Sequence, residues 1–247
     1  MKEAYKENLA FIHDAGFGHL AKDAAHFLLD SLKQAGIHKG RFVDIGCGSG
    51  ITCRLLSDAG FEVTGIDISE SLLEMARSRV PEGKFYKESF LTYYIPRCTA
   101  VAAIGEVMNY IFDETNDRQK RHRFFERVYE ALEPGGCFLF DVAGAARAPS
   151  AGSQKTFSTN AEWAVLMETD TDHSNNILTR HITTFRKKGS QYERDFEVHK
   201  LQLLNISEIE ESLKQIGFNV YLLDSYHKNL LPKGLVGFLA LKEQIDP

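Results

Sequence analysis

Apolar and polar positions along the chain follow two different periods. Short apolar runs bounded by turn residues predict buried strands at residues 41–45, 61–66, 84–88, 100–104 and 137–142. Between them a helical period predicts helices. Residues 51–59 place Leu55 and Leu56 on one face, residues 70–79 follow Ser69 as a cap, and residues 118–132 carry Phe124, Phe125, Val128 and Leu132 on an inner stripe. Pro134-Gly135-Gly136 stops the last of these. Alternating strand and helix at this spacing implies parallel β-α-β units in a doubly wound α/β sheet.

The pattern changes after Pro149. Residues 150–160 are small and polar and read as a loop. Three strand-like runs follow with no helix between them, at 163–169, 177–187 and 191–204, joined by Asp172-His173-Ser174-Asn175-Asn176 and Lys188-Gly189-Ser190. They predict an antiparallel β meander inserted in the sheet domain, with Trp163, Phe185, Tyr192 and Phe196 packing it down. Ser207 is then expected to cap a helix that runs to Ile216 and ends at Gly217, before strands at 218–223 and 236–241. Three parts result: a helical cap at 1–38, the core domain at 39–149 and 205–247, and the β insertion at 150–204.

Composition narrows the class. The 247 residues are 43% hydrophobic and 26% charged, an ordinary globular balance. The formal net charge of −5 is unfavourable for a nucleic-acid surface, which needs many Lys and Arg. The run Arg118-Gln119-Lys120-Arg121-His122-Arg123 reads as the solvated face of an amphipathic helix. Cys47, Cys53, Cys98 and Cys137 are scattered, with neither a CxxC pair nor zinc spacing, so reduced thiols and no metal are expected. The first residues lack the apolar run of a signal peptide, and no stretch is apolar enough to span a bilayer. A cytoplasmic protein is expected.

The densest information lies in Asp44-Ile45-Gly46-Cys47-Gly48-Ser49-Gly50, between a strand and a helix. Glycines there let the chain turn sharply and let a ligand approach the backbone. The helix that follows offers unpaired N–H groups. The spacing is GxGxG. The dinucleotide fingerprint GxGxxG would need glycine where Ile51 stands. A second acid, Asp67, ends the next strand, where a carboxylate can accept from both hydroxyls of a ribose, with Ile68 beside it to pack on a purine.

Residues 42–69 resemble the first two motifs of the class I S-adenosylmethionine-dependent methyltransferases. The likeness extends through Lys87-Glu88-Ser89-Phe90-Leu91, Gly105-Glu106-Val107-Met108-Asn109-Tyr110 and Leu132-Glu133-Pro134-Gly135-Gly136. The resemblance implies a Rossmann-like seven-stranded sheet of order 3-2-1-4-5-7-6, with the last strand antiparallel. It also implies S-adenosyl-L-methionine as cofactor. Asp44 would organise the loop around the methionine part, in the loop that also holds Cys47. Gly46 and Gly48 would permit close approach, and Asp67 would hold the ribose. Ile68 and Phe90 would sandwich the adenine, Ser89 would stand where many members carry Asp, and Gly105 would offer backbone groups to the methionine end. Leading segments often cap the cofactor in this family, which makes Tyr5 a further contact.

Methyl transfer from a sulfonium needs mainly alignment, and no GxSxG or HExxH suggests hydrolysis. An amine or hydroxyl nucleophile calls for a proton acceptor. Glu106 follows the fourth strand into the crevice, near Asn109 and Tyr110. Glu197 and His199 stand two apart on one face of a strand, able to bind a cation, take a proton or form a structural pair. The N-terminal segment holds Tyr5, His13 and His19, and Gly16 and Gly18 flank Phe17 as in a hinged cover; the plainer reading is a helix and turn packed on the sheet. The expected substrate is a small molecule, with no nucleic acid or membrane as partner, and a homodimer is allowed. Two alternatives stand beside this: a cofactor-binding module without turnover, whose mark would be a damaged glycine loop, and a nicotinamide-dependent oxidoreductase, which Ile51 and Asp44 disfavour.

Overall fold

Apolar strands flanked on both sides by helices bury both faces, and the sequence obliges. In the computed structural model, which describes residues 4–112, 116–150 and 152–244, the order of elements follows the two periods. Helices α1 (Glu7–Phe17) and α2 (His19–Gln34) lead into β1 (Arg41–Ile45), α3 (Ile51–Asp58), β2 (Glu62–Asp67), α4 (Glu70–Arg79), β3 (Lys84–Lys87) and β4 (Cys98–Ala103). Then come α5 (Arg118–Ala131), β5 (Leu132–Ala143), β6 (Gln154–Thr159), β7 (Trp163–Asp172), β8 (Ile177–Lys188) and β9 (Gln191–Gln202). The chain closes with α6 (Ile206–Ile216), β10 (Asn219–Leu223), β11 (Ser225–Tyr226), β12 (Asn229–Leu230) and β13 (Leu235–Leu241). Residues 1–3 of the expected cap, 151 of the insertion, and 113–115 and 245–247 of the core lie outside the described residues.

The main sheet has seven strands in the order β3-β2-β1-β4-β5-β13-β10. All neighbours run parallel except β13, which is antiparallel to both β5 and β10. This is a Rossmann-like doubly wound α/β sheet with the order 3-2-1-4-5-7-6. The strand order reverses between β1 and β4, and an open α/β sheet binds ligands at that crevice. Alternation in β1 sends Phe42 to one face and Val43 and Ile45 to the other. Phe42 joins Leu28, Leu32, Leu56 and Leu73 beneath α2, α3 and α4. Val43 and Ile45 join Phe124, Phe125, Val128 and Leu213 beneath α5 and α6. There Phe138, Phe140 and Phe238 stack with ring centroids 4.4 and 4.8 Å apart. Burying each such ring contributes about 1.5–3 kcal/mol, so the strand tips sit on a stiff support.

The insertion is a four-stranded antiparallel meander, β6-β7-β8-β9, one strand more than the sequence predicts. β6 escaped notice because it is an edge strand with nearly every side chain exposed, so it carries no apolar face to read. Trp163 is buried against α1, with Leu9 and Ile12. Tyr192 and Phe196 do not pack the insertion down as expected; they are exposed on its outer side. Helix α6 starts two residues early because Asn205, not Ser207, caps it, accepting from the N–H groups of Ser207 and Glu208. The short β11–β12 hairpin is too brief to leave a period. Arg121, read as part of a solvated face, is buried with Nη1 donating to Asn116.

The two glycines beside Phe17 act differently from a hinge. Neither sits in the left-handed region. A Cβ on Gly16 would lie 2.7 Å from the Trp163 ring, and one on Gly18 would lie 2.6 Å from Ile51 Cδ1. They let α1 press close to the meander and to α3.

Candidate active site

The loop after β1 turns through Gly46, Gly48 and Gly50, all with positive φ. A Cβ on Gly48 would meet no atom within 4 Å, so this glycine faces open space. Gly46 differs, since its Cβ would stand 2.6 Å from Val107 and the bare backbone there admits a neighbouring turn. Asp67, at the end of β2, fixes the loop. Its Oδ2 accepts the Gly48 N–H at 2.9 Å and its Oδ1 accepts the Ser69 N–H at 2.9 Å. Burial raises the Asp67 carboxyl, and the backbone donors pull against that rise.

Around this loop lies a cavity of about 130 Å³ whose lining includes Gly48, Asp67, Ile68, Ser89, Phe90 and Gly105. Gly105 has φ +93° and, like Gly48, leaves space that an added Cβ would occupy. Phe90 packs edge-on against Phe124 at 5.0 Å, which holds its ring in place. The fit to an adenosyl sulfonium is direct. Two glycines clear the backbone approach, a carboxylate stands ready for ribose hydroxyls, and Ile68 and Phe90 supply apolar walls for a purine. Asp44 and Cys47 are not in this lining. Asp44 is buried beneath the loop, where the Cys53 thiol donates to it at 3.4 Å and burial pushes its carboxyl up to about 7. The Cys47 side chain turns toward Gly65 in the core.

A second cavity, of about 400 Å³, opens between the strand tips, α1 and the meander. It shares Tyr5, His13, Gly105 and Tyr110 with the first. Asp141, at the end of β5, anchors the turn between the two cavities by accepting the N–H groups of Gly105 at 3.0 Å and Glu106 at 2.6 Å. Glu106 has a left-handed backbone (φ 64°) and is buried. Arg147 Nε donates to it at 2.8 Å, and Arg180 Nη1 lies 2.7 Å from its other oxygen. Burial alone would raise the Glu106 carboxyl, but the guanidiniums of Arg180 and Arg147 outweigh it and hold the group below the usual carboxylate range. Asn109 is spent on the backbone, donating to Ala143 and Gln202 and accepting from Ala143.

His199 and Glu197 meet as one pair. His199 Nε2 lies 2.9 Å from Glu197 Oε2, and the same carboxylate accepts the N–H groups of Tyr5 at 2.8 Å and Lys6 at 2.9 Å. A carboxylate accepts only, so Nε2 donates to it, and in the neutral ring the lone pair is then on Nδ1. That Nδ1 is buried and has no hydrogen-bond partner among the described residues. The ring is enclosed by Tyr5, Phe112 and Tyr110 at 4.9, 5.0 and 5.9 Å. The Tyr5 and Tyr110 hydroxyls bond to each other at 2.7 Å, and burial raises both phenols, which therefore stay protonated at neutral pH. His13 lines both cavities, and burial lowers it to about 4, so its ring is neutral.

Sequence reasoning missed Arg147 and Arg180. Arg180 did leave a signal: it alternates with Leu178 and Ile182, which are buried, so a charge sits on the apolar face of β8. Arg147 is the lone charge in Ala143-Gly144-Ala145-Ala146-Arg147-Ala148, just past a sheet strand. Among the described residues no group of His, Cys, Asp and Glu has the makings of a metal site, and no helix is long and apolar enough to cross a membrane.

Known proteins resemble this chain in sequence and in fold. A family model described as a methyltransferase domain matches residues 42–136. A putative methyltransferase of Bacillus subtilis is 29% identical over 74% of this chain and 75% of its own length. An 18S rRNA (guanine(1575)-N(7))-methyltransferase of Saccharomyces cerevisiae is 33% identical over 39% of this chain and 38% of its own. A solved S-adenosylmethionine-dependent methyltransferase from Clostridium acetobutylicum shares the fold with a TM-score of 0.80 at 17% identity, over 95% of this chain and 97% of that one. CalS10, an amino pentose methyltransferase from Micromonospora echinaspora solved with S-adenosylmethionine bound, shares it with a TM-score of 0.76 at 15% identity, over 98% and 100%.

Proposed function

Because this chain is a class I S-adenosylmethionine-dependent methyltransferase, we propose that it methylates an N or O nucleophile of a small molecule held in the cavity beneath the meander. The observation that carries this reading is the junction of the two cavities, which share Tyr5, His13, Gly105 and Tyr110. A recess of about 400 Å³ is of the size that encloses metabolites. The net charge of −5 disfavours a polyanion such as the RNA on which the yeast relative acts. CalS10, an amino pentose methyltransferase, shares this fold and acts on a small molecule.

When bound, S-adenosylmethionine supplies an activated methyl group on a cationic sulfur. Asp67 accepts from the ribose hydroxyls, Ile68 and Phe90 hold the adenine, Ser89 adds a polar contact, and Gly48 and Gly105 leave room for the ligand. His199 Nδ1 takes the proton of the acceptor, with Glu197 holding the ring in the required tautomer. Tyr110 and Tyr5 orient the acceptor through their paired hydroxyls. Glu106 is committed to two guanidiniums, so it organises the polar end of the cavity instead of taking the proton. A binding module without turnover would have no use for a histidine–carboxylate pair in a second cavity.

The test is release of S-adenosylhomocysteine from S-adenosylmethionine with three acceptor sets: small amines, small hydroxy compounds and total RNA. Turnover is expected with a small molecule and not with RNA. Methylated RNA, or tight cofactor binding with no turnover on any set, would overturn the proposal.

A further inference from the structure

We infer that the methyl acceptor is a monocarboxylate with an apolar body, its carboxylate seated on Arg147 and Arg180 at the polar end of the second cavity. This rests on the acceptor reading above and narrows it to a substrate class.

The charges on the cavity wall do not balance. Of its lining residues Glu106 is anionic, while Arg147 and Arg180 are cationic. Two guanidiniums face one carboxylate in a recess where the side chain of Arg180 is 11% exposed and that of Glu106 is 8% exposed. The other titratable groups there do not supply the missing charge. His13 is neutral, and Tyr5 and Tyr110 hold their protons. Glu197 stands behind the wall, taken up by His199 and by two backbone N–H groups. Arg180 is matched by Glu106, so the surplus positive charge falls on Arg147, half-buried at the same end of the recess, and an incoming anion pairs with it.

The donors suit a carboxylate. A guanidinium has five N–H groups in a planar fork. The contacts of Arg147 within the described residues engage Nε with Glu106 and Nη1 with the Lys233 carbonyl, at 3.4 Å. Its Nη2 takes part in neither contact, and the side chain is 28% exposed. Both Nη groups of Arg180 are engaged with Glu106, so the incoming carboxylate takes its hydrogen bonds from Arg147 Nη2 while Arg180 adds its charge. One surplus charge matches a monoanion; a phosphate monoester, near −1.5 to −2, would overcompensate. The bound sulfonium in the adjoining cavity adds positive charge, which again favours an anionic acceptor and disfavours a cationic one. The rest of the wall is apolar, with Leu9, Val165, Met167, Ile182 and Leu235.

The experiment titrates hexanoate, hexanamide and hexylammonium by calorimetry, with saturating S-adenosylhomocysteine and again without it. These probes share an apolar tail and differ in the head. Hexanoate is expected to bind at least about tenfold more tightly than hexanamide, with hexylammonium weakest. Arg147→Ala should remove the preference and Arg147→Lys should keep part of it, which separates lost charge from lost packing. Equal binding of acid and amide to the natural protein, or an acid preference that survives in Arg147→Ala, would overturn the inference. Failure of S-adenosylhomocysteine itself to bind would instead strike the cofactor site, and the titration without it would still decide the carboxylate question.

Discussion

The two halves of the active site are built by different means. Apart from Tyr5, His13, Tyr110 and Phe112, the proposed cofactor half is lined from one stretch of chain, Gly46 to Val107, and its key bonds run from backbone N–H groups to a carboxylate. The acceptor half is assembled from four separated segments: Tyr5 with His13, Glu106 with Tyr110, Arg147, and Arg180 with His199. The bonds that join these segments run mostly from side chain to side chain. The first half combines bare backbone at Gly48 and Gly105 with side chains that stand at or beside strand ends, so it is set mainly by local geometry. The second recognises through side chains that different folded regions bring together, so substrate choice can change there without disturbing the cofactor.

That contrast predicts a clean split in mutant kinetics, sharpest at His199. His199→Ala removes the proposed proton acceptor and is expected to lower kcat about 10²–10⁴-fold while S-adenosylhomocysteine affinity, measured by calorimetry, stays put. Unchanged turnover would make His199 a structural partner of Glu197. The mirror image is Asp67→Ala, which should weaken cofactor binding by about 1.5–3 kcal/mol, or roughly 10–150-fold. Asp67→Asn is not a mild control, since an amide NH2 would face the N–H of Gly48 or of Ser69. Native affinity in a folded Asp67 variant would remove it from the ribose.

The same contrast explains what the sequence disclosed. The strand–helix alternation, the glycine loop with Asp44 and the strand-end position of Asp67 were legible because each is encoded within a few neighbouring residues, whereas the strand order followed only from the family resemblance. The pairing of Glu197 with His199 was legible too, from strand alternation. The fate of Glu106 was not: whether it is free or bound depends on Arg147 and Arg180, 41 and 74 residues away. β6 was hidden for a related reason, since an edge strand with exposed side chains owes its existence to pairing with β7 and not to its own pattern.

Helix α1 belongs to both halves and so tests how separate they are. Asp14 accepts from Ser49 Oγ in the glycine loop at 2.5 Å and from Arg79 at 3.0 Å, while Tyr5, just before the same helix, reaches Tyr110. Burial would raise the Asp14 carboxyl, but Arg79 and Ser49 hold it below its ordinary range. Losing these bonds frees one end of α1 at a net cost of about 0.5–1.5 kcal/mol. Asp14→Ala should therefore weaken S-adenosylhomocysteine binding by only about threefold to tenfold. No change would make the tie to the loop irrelevant to the cofactor, and a loss as large as that of Asp67→Ala would place α1 wholly in the cofactor half.

The smallest change in activity is expected at Asp44, where structure and motif part company. The resemblance assigns it to the methionine part of the cofactor, but it lies outside the cavity lining with the Cys53 thiol as partner. Its weight is on stability instead. Burial pushes its carboxyl up to about 7 from an ordinary 3.8, so between those values the folded chain holds a proton that the unfolded chain has released. The contribution of Asp44 to stability is fullest below about pH 4, falls as pH rises toward 7 with a slope of at most one proton, and is level above that. Asp44→Asn cannot ionise and escapes the fall. Urea unfolding at pH 5, 6, 7 and 8 should show the variant gaining on the natural protein up to pH 7 and no further, with cofactor affinity at pH 7 unchanged. Parallel stability curves would mean that Asp44 is ionised in the folded state, and a large loss of cofactor affinity would return it to the cofactor half.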